Sequence, residues 1–279
     1  MLALSEETKA AIRAVPYFRE SRYVDLDVPG TIDYFRRKFV ESVPAKPLTA
    51  NHVVTDVGTG FGWLAMAAAL HSPAKVIAVD PDVARLKAAE AIAGLLGLEG
   101  RIEWRPGSVE QLPIGDRESD VTFCIEVLEH IYGNPAGFRE LDRVTGRYLI
   151  FTTPNAAFPV IAHDTQLPFC HWLPGPLRDG YARLFRRGHK QHNNRFWTPW
   201  DISRHLPQFR RVSNFMHYRR VDDYFALYPY YLPYGRGAWR GRPSIESALY
   251  YRLVSRLGGL TPYLLPSLSA TLERRPSDG

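Results

Sequence analysis

The chain has 279 residues, of which 45% are hydrophobic and 23% are charged, a balance that predicts a soluble globular protein. Its length suits one large domain or a domain with an insertion. No apolar run approaches the roughly 20 residues of a membrane span, and the first residues lack the apolar centre of a signal peptide. The two cysteines, Cys124 and Cys170, provide neither a disulfide framework nor a zinc set, so we expect a reducing, cytoplasmic location.

The net charge of +6 is unevenly distributed along the chain. Residues 1–177 carry 17 basic and 22 acidic side chains, a net −5, whereas residues 178–279 carry 18 and 7, a net +11. This asymmetry indicates either an anionic partner for the second part or a solvated basic face.

The order of the predicted elements indicates an α/β fold. Residues 5–45 have helical composition, and from residue 52 short apolar runs alternate with helical stretches at 62–72, 82–97 and 134–144. The apolar runs are HVVTDV (52–57), KVIAVD (75–80), RIEWR (101–105), DVTFCI (120–125) and RYLIFTT (147–153). Such alternation predicts a parallel, doubly wound sheet covered by helices on both faces.

The alternation stops after residue 153, and proline and aromatic residues become frequent. We therefore predict an N-terminal helical cap at 1–50 and a main domain at 51–225 that includes a substrate lid at 154–200. Residues 226–279 are predicted to form a basic, aromatic C-terminal extension.

A glycine-rich turn follows the first predicted strand, in the sequence VVTDVGTGFGWL. Glycines at 58, 60 and 62 allow a sharp turn and a close approach of the backbone to a ligand, and the following helix start attracts an anionic group. The third glycine falls one position too early for a pyrophosphate-binding fingerprint. Asp80, which ends the second strand, is placed to accept both hydroxyls of a ribose, and the stretch RPGSVEQLP (105–113) to frame an adenine.

Four motifs, DVGTGFG, VIAVDPD, GSVEQLP and CIEVLEH, resemble in this order the class I S-adenosylmethionine-dependent methyltransferases, over roughly residues 50–155. The resemblance implies a Rossmann-like sheet and S-adenosyl-L-methionine as the cofactor. It implies that Asp56 and the loop Gly58, Thr59, Gly60 and Gly62 hold the methionine end, and that Asp80 and Pro81 hold the ribose. Ser108 and Val109 would lie at the adenine and Glu126 beside the cofactor, although many relatives have an acid at the position of Ser108.

The motif EVLEH resembles the corresponding motif of ubiquinone-pathway O-methyltransferases and of small-RNA 2′-O-methyltransferases. The resemblance implies that Glu126, Glu129 and His130 could ligate a divalent metal, with His189 or His192 as a fourth ligand. The spacing of the first three would place them on one helical face. In the alternative, Glu129 and His130 only cap or pack the helix. We predict that no metal is bound.

The segment HDTQLPFCHWLP (163–174) resembles an insertion in bacterial methyltransferases that modify sugars or lipid-linked glycans. His163, Asp164 and His171 are candidates for binding hydroxyls and removing a proton, with His130 as the next candidate. Phe169 and Trp172 could stack on a ring. In the alternative, Asp–His hydrogen bonds only hold the lid together.

The C-terminal extension mixes Leu, Arg and aromatic residues, which suits a membrane surface or a lipid-tailed substrate, or packing on the main domain or on a second subunit in a homodimer. We predict O-methylation of a small-molecule or lipid-linked glycan hydroxyl, in the cytoplasm or at the inner face of the membrane. RNA 2′-O-methylation and a non-catalytic, cofactor-binding regulatory role are the alternatives, and no RNA-binding module is visible.

Overall fold

The computed structural model describes residues 2–45, 47–131, 135–161, 164–188, 195–226 and 244–276. The helices are α1 (Glu6–Ala14), α2 (Val28–Lys38), α3 (Trp63–His71), α4 (Val83–Leu95), α5 (Ala136–Val144), α6 (Gly175–Leu184), α7 (Pro199–His205), α8 (Val221–Phe225) and α9 (Ile245–Val254). The strands are β1 (Val53–Val57), β2 (Lys75–Asp80), β3 (Ile102–Pro106), β4 (Ser119–Ile125), β5 (Thr145–Pro154), β6 (Phe209–Arg211) and β7 (Ser267–Arg274). Short 3₁₀ helices lie at Val40–Ser42, Leu128–His130, Cys170–Trp172 and Gly258–Leu264.

The described strands form one sheet in the order β3-β2-β1-β4-β5-β7-β6. The first five of these are parallel, whereas β7 runs antiparallel to both β5 and β6. The predicted doubly wound, Rossmann-like α/β sheet is confirmed. Apolar runs such as KVIAVD form central strands because both of their faces are covered.

Each face of the sheet has its own hydrophobic core, and alternate residues of a strand supply them. In β2, Val76 and Ala78 belong to the core beneath α1 to α4, whereas Ile77 and Val79 belong to the core beneath α5 and α7. The alanine-rich α3 is buried over most of its length, because its small side chains let the helix approach the sheet closely.

The N-terminal cap packs on the main domain, with α1 against α4 and α2 against α3. Phe18 is fully buried and contacts the rings of Phe61 and Trp63 at centroid distances of 5.1 and 5.9 Å. The segment between α1 and α2 therefore lies against the glycine turn that follows β1.

The predicted boundary at residue 226 requires a correction. Residues 267–274 of the predicted extension form β7, which lies between β5 and β6 and completes the central sheet. The sequence SLSATLER alternates, and Leu268, Ala270 and Leu272 enter the core beneath α5 and α7. Among the described residues, no helix is long and apolar enough to cross a membrane.

Candidate functional site

The candidate site lies at the carboxyl ends of the parallel strands, where β1 and β4 are neighbours. The chain leaves β1 toward β2 on one side, and β4 occupies the other side, so this is the topological switch point at which open α/β sheets bind ligands. Gly58, Gly60 and Gly62 turn the chain here with φ values of +72°, +59° and +79°. Residues with side chains rarely adopt these left-handed values.

Two of these glycines show how the turn is shaped. A Cβ at Gly58 would lie 2.3 Å from Val127 Cγ2, so the missing side chain lets the loop after β4 pack against the loop after β1. A Cβ at Gly60 would meet no atom within 4 Å. The backbone at Gly60 therefore borders open space, as a cradle for a close-fitting ligand requires.

Asp80 ties the turn to the end of β2. One carboxylate oxygen accepts the Gly60 N–H at 2.8 Å, and the other accepts the Asp82 N–H at 2.9 Å. Arg85 places a guanidinium nitrogen 3.8 Å from the second oxygen. The carboxylate is buried, yet it is placed beside the open space at Gly60, as the sequence predicts for a ribose-binding acid.

Asp56 lies beneath the turn rather than at its surface. Its carboxyl group is 3% exposed and accepts the Thr59 hydroxyl at 2.6 Å. Burial raises the pKa of Asp56 to about 7, with a smaller contribution from the charge of Asp80. In this position Asp56 and Thr59 hold the conformation of the loop.

The remaining predicted cofactor residues follow the neighbouring strands. Pro81 is exposed directly after β2. Ser108 and Gln111 close a tight turn after β3, and the Val109 side chain lies near the start of α5. The order β3-β2-β1-β4 thus brings the loops with Ser108, Asp80, Gly60 and Glu126 to one edge of the sheet.

A pair of carboxyl groups lies where β4 and β5 end. Glu126 accepts the Thr152 hydroxyl at 2.8 Å, and the buried Glu129 accepts the Thr153 hydroxyl at 3.0 Å. Burial raises the pKa of Glu129 to about 8, and the charge of Glu126, with which it shares a hydrogen bond, adds to this. Glu129 is therefore protonated near neutral pH.

The predicted common helical face for Glu126, Glu129 and His130 is wrong. Glu126 has a left-handed φ of +55°, so the helix turn begins only at Leu128. Glu129 points into the protein, whereas His130 is exposed. No group of three or more His, Cys, Asp or Glu that could hold a metal ion occurs among the described residues, and His189 and His192 lie outside them. The absence of a metal stays a prediction, which retention of activity in EDTA would test.

The lid begins at the end of β5 and carries the candidate proton acceptors. His171 Nε2 lies 3.1 Å from Ala156 O, which can only accept, so Nδ1 is the unprotonated nitrogen of the neutral ring. Burial lowers the pKa of His171, and the charge of Asp164, itself buried, opposes this only in part. His163 lies outside the described residues.

Three features of the site were not predicted from the sequence. Tyr17 donates its hydroxyl to Asp82 and lies 6.2 Å from the Phe61 ring of the glycine turn. Trp197 is buried and donates to Leu128 O at 2.6 Å, which fixes the loop after β4. The raised pKa of Glu129 depends on burial. Of these three features, only Trp197 had a local sequence signal, the Trp-Thr motif. The other two depend on contacts between residues that are distant in sequence.

Comparison with known proteins agrees with this geometry. Residues 55–149 match the family model of a methyltransferase domain. The ubiquinone/menaquinone biosynthesis C-methyltransferase UbiE of Syntrophotalea carbinolica is 29% identical over 136 residues, which cover 46% of this chain and 56% of that protein. An S-adenosylmethionine-dependent methyltransferase from Mesorhizobium loti, 15% identical, superimposes with a TM-score of 0.53 over 88% of this chain and 100% of that one.

Residues 55–149 therefore match a methyltransferase domain, and the fold is the one found in an S-adenosylmethionine-dependent methyltransferase. S-adenosylmethionine is the cofactor that this match implies. The glycine turn fits this cofactor, because the backbone at Gly60 borders open space beside the Asp80 carboxylate.

Proposed function

We propose that this chain methylates a hydroxyl group of a small molecule or glycan. The observation that carries the proposal is the open cradle at Gly60, bordered by the Asp80 carboxylate, on the same edge of the sheet as a lid with a neutral histidine. The cofactor supplies a methyl group already activated on a sulfonium. The chain's own residues must therefore position the acceptor, exclude water and accept one proton.

For the cofactor, Asp80 and the loop from Gly58 to Gly62 are the proposed binding residues. The Asp80 carboxylate, which already accepts the Gly60 N–H, is the proposed acceptor for the ribose hydroxyls. Ser108 and Val109 would border the adenine. Asp56 acts through Thr59 by holding the loop.

For the acceptor, His171 is the proposed base. Its lowered pKa keeps the imidazole neutral near pH 7, the form that can take a hydroxyl proton. His171 would take the hydroxyl proton of the acceptor, while Asp80 and the glycine loop would hold the cofactor that supplies the activated methyl group. Phe169 and Trp172, whose rings lie 5.1 Å apart, offer an apolar wall beside it.

Methylation of a ring carbon is the second candidate. It is favoured by the likeness to UbiE, whose name describes a C-methyltransferase. In that case the proton leaves carbon instead of oxygen, and Glu126 is the proposed acceptor because it lies directly after β4. Product analysis by NMR separates the two, since an O-methyl and a C-methyl group differ in chemical shift.

Calorimetry with S-adenosylmethionine tests the cofactor site. Asp80→Ala should weaken binding at least tenfold, because each hydrogen bond to a charged group contributes roughly 1.5–3 kcal/mol. Asp116→Ala is the matched control, since this carboxylate is 81% exposed and pairs with Arg143 away from the glycine turn. Equal affinity in folded Asp80→Ala protein would refute the assignment.

The base is tested by His171→Ala once an acceptor is turned over. Turnover should fall by roughly 10²- to 10⁴-fold with unchanged cofactor affinity. His130→Ala tests the next candidate base, an exposed histidine on the neighbouring loop. A loss in the His130 variant alone would move the base to that loop.

A further inference from the structure

The lid exposes several large apolar side chains of a kind that is usually buried in soluble proteins. On α6 and the residues beside it, Phe169, Trp172, Leu177, Leu184 and Phe185 are 49%, 52%, 63%, 77% and 53% exposed. Of the α6 residues only Ala182 is buried, so the helix rests on the body by a narrow contact. We call these five residues, together with Arg183, Arg186 and Arg187, the lid surface.

The apolar residues of α6 share one face. Leu177, Tyr181 and Leu184 follow the spacing i, i+4, i+7, which places them on one side of a helix. The Tyr181 and Phe185 rings lie 5.2 Å apart and extend this face beyond the end of the helix. An apolar face of this kind, when exposed, marks an interaction surface.

The charges beside this face are almost all positive. Arg183, Arg186 and Arg187 are exposed at the carboxyl end of α6, and none of them pairs with a described carboxylate. Across the described residues 164–188 the acids are Asp164, which is buried, and Asp179. The partner is therefore expected to be apolar at its centre and anionic at its rim.

The lid surface adjoins the candidate site. Trp172 donates its indole N–H to Ala156 O at 2.7 Å, two residues beyond the end of β5. Thr152 of the same strand donates to Glu126. A partner seated on the lid surface would thus lie beside the mouth of the proposed acceptor site.

A second exposed apolar stripe reaches the same strand end. Ile245, Leu249 and Leu253 repeat at i, i+4, i+8 along α9 and are 77%, 64% and 62% exposed. The 3₁₀ helix that follows α9 is tied to β5, because the Asn155 amide donates to Pro262 O and to Leu265 O, both at 2.7 Å.

We propose that the lid surface binds the surface of an anionic phospholipid bilayer. Arginines beside exposed Trp, Phe and Leu match the chemistry of the bilayer interface, where apolar side chains enter the acyl boundary and cations meet lipid phosphates. A second copy of this chain fits less well. In a two-fold contact through the lid surface each copy would bring the same three arginines to the interface.

The proposal also extends the proposed function: the methyl acceptor is a membrane-borne amphiphile whose hydroxyl lies beside β5. This statement about the acceptor rests on the proposed function. Docking itself requires neither cofactor nor acceptor. The two ideas can therefore fail separately.

Vesicle flotation of the full chain at low salt tests the docking. Binding is expected with vesicles of equal parts phosphatidylglycerol and phosphatidylcholine, and little binding with phosphatidylcholine alone. Arg183→Gln/Arg186→Gln/Arg187→Gln should weaken binding to the anionic vesicles about 100-fold, because each basic side chain near such a surface contributes about a factor of five. Leu177→Glu/Leu184→Glu should abolish binding.

Controls keep charge and folding constant. A triple Gln variant of Arg13, Arg117 and Arg139, all exposed in the first part of the chain, removes the same charge and should bind as the wild type does. Val83→Glu/Leu95→Glu, at two exposed residues of α4, is the matched apolar control. Each variant should keep its melting temperature and its affinity for S-adenosylhomocysteine. Failure of the wild type to float with anionic vesicles, or unchanged flotation of both lid variants, would overturn the proposal. So would a dimer in solution that Leu177→Glu/Leu184→Glu dissociates without any vesicle binding. Vesicle binding without cofactor binding would instead contradict the proposed function alone.

Discussion

At the scale of single residues, two glycines distinguish the need for a left-handed backbone from the need to leave space for a ligand. Gly60 and Gly100 both have left-handed backbones, with φ values of +59° and +69°, and a Cβ would meet no atom within 4 Å at either position. Only Gly60 lies at the switch point of the sheet. The same substitution at the two positions therefore carries a similar backbone cost and a different functional cost.

We predict that Gly60→Ala and Gly100→Ala each lower stability by about 1–2 kcal/mol, the cost of a side chain in the left-handed region. Only Gly60→Ala should weaken S-adenosylmethionine binding, by tenfold or more, because its methyl group projects into the cradle. Thermal unfolding and calorimetry on the same samples measure both effects. Equal affinities in the two variants would place the cofactor elsewhere.

At the scale of elements, a buried histidine joins the N-terminal cap to the last strand of the sheet. His217 Nε2 donates to Lys38 O at the end of α2 at 2.8 Å, and its Nδ1 accepts the Ser269 hydroxyl of β7 at 2.6 Å. The ring stacks on Phe39 at 4.9 Å and is 2% exposed. These contacts link residues at opposite ends of the chain.

We expect His217→Ala to destabilise the fold by roughly 2–4 kcal/mol, because it leaves a cavity and two polar partners without hydrogen bonds. His217→Gln, whose amide offers one donor and one acceptor, should recover part of this loss. Urea unfolding gives the free energies. A His217→Ala protein as stable as the wild type would contradict the linking role.

At the scale of the whole molecule, buried titrating groups make stability depend on pH in opposite directions. Burial lowers the pKa of His217 from 6.5 to about 3, so the folded state lacks a proton that the unfolded state binds in this range, and stability rises with pH up to 6.5. Burial raises the pKa of Asp56 from 3.8 to about 7 and that of Glu129 from 4.5 to about 8. For these carboxyl groups the folded state holds the extra proton, and stability falls as pH rises through those ranges.

Below pH 6.5 the contributions of His217 and of the two carboxyl groups to the pH dependence of stability have opposite signs. Above pH 6.5, of these three groups, only the carboxyl groups still change stability with pH. Between pH 6.5 and 8 we predict that the wild type loses stability as pH rises, because folded Glu129 keeps a proton that the unfolded state has lost. Glu129→Gln should flatten this limb, since the amide resembles the protonated acid and can still accept from Thr153. Denaturation midpoints across this range, with the exposed Glu90→Gln as control, measure it. A variant with the wild-type slope would show that Glu129 is ionised at neutral pH.

The sequence alone was sufficient for features that depend on local patterns. Short apolar runs alternating with helical stretches predicted the five parallel strands and their order along the chain. This is possible because the periodicity of a strand or a helix can be recognised in a short stretch of consecutive residues. The glycine spacing and the acid at the end of β2 located the switch-point site, since both act through the backbone of their own loops. The methyltransferase domain was predicted from the resemblance of four motifs to class I methyltransferases, and residues 55–149 match such a domain.

Only the tertiary structure decided the features that depend on contacts between distant residues. The strand Ser267–Arg274 belongs to the sheet because β5 and β6 offer it two edges, which its own short sequence does not reveal. Glu129 retains a proton, and His217 loses one, because packing removes both from water. Periodicity and spacing in the sequence indicate the conformation of a segment. The burial of a side chain depends on what the rest of the chain packs against that segment, and burial in turn determines the pKa of the side chain and the pairing of a strand.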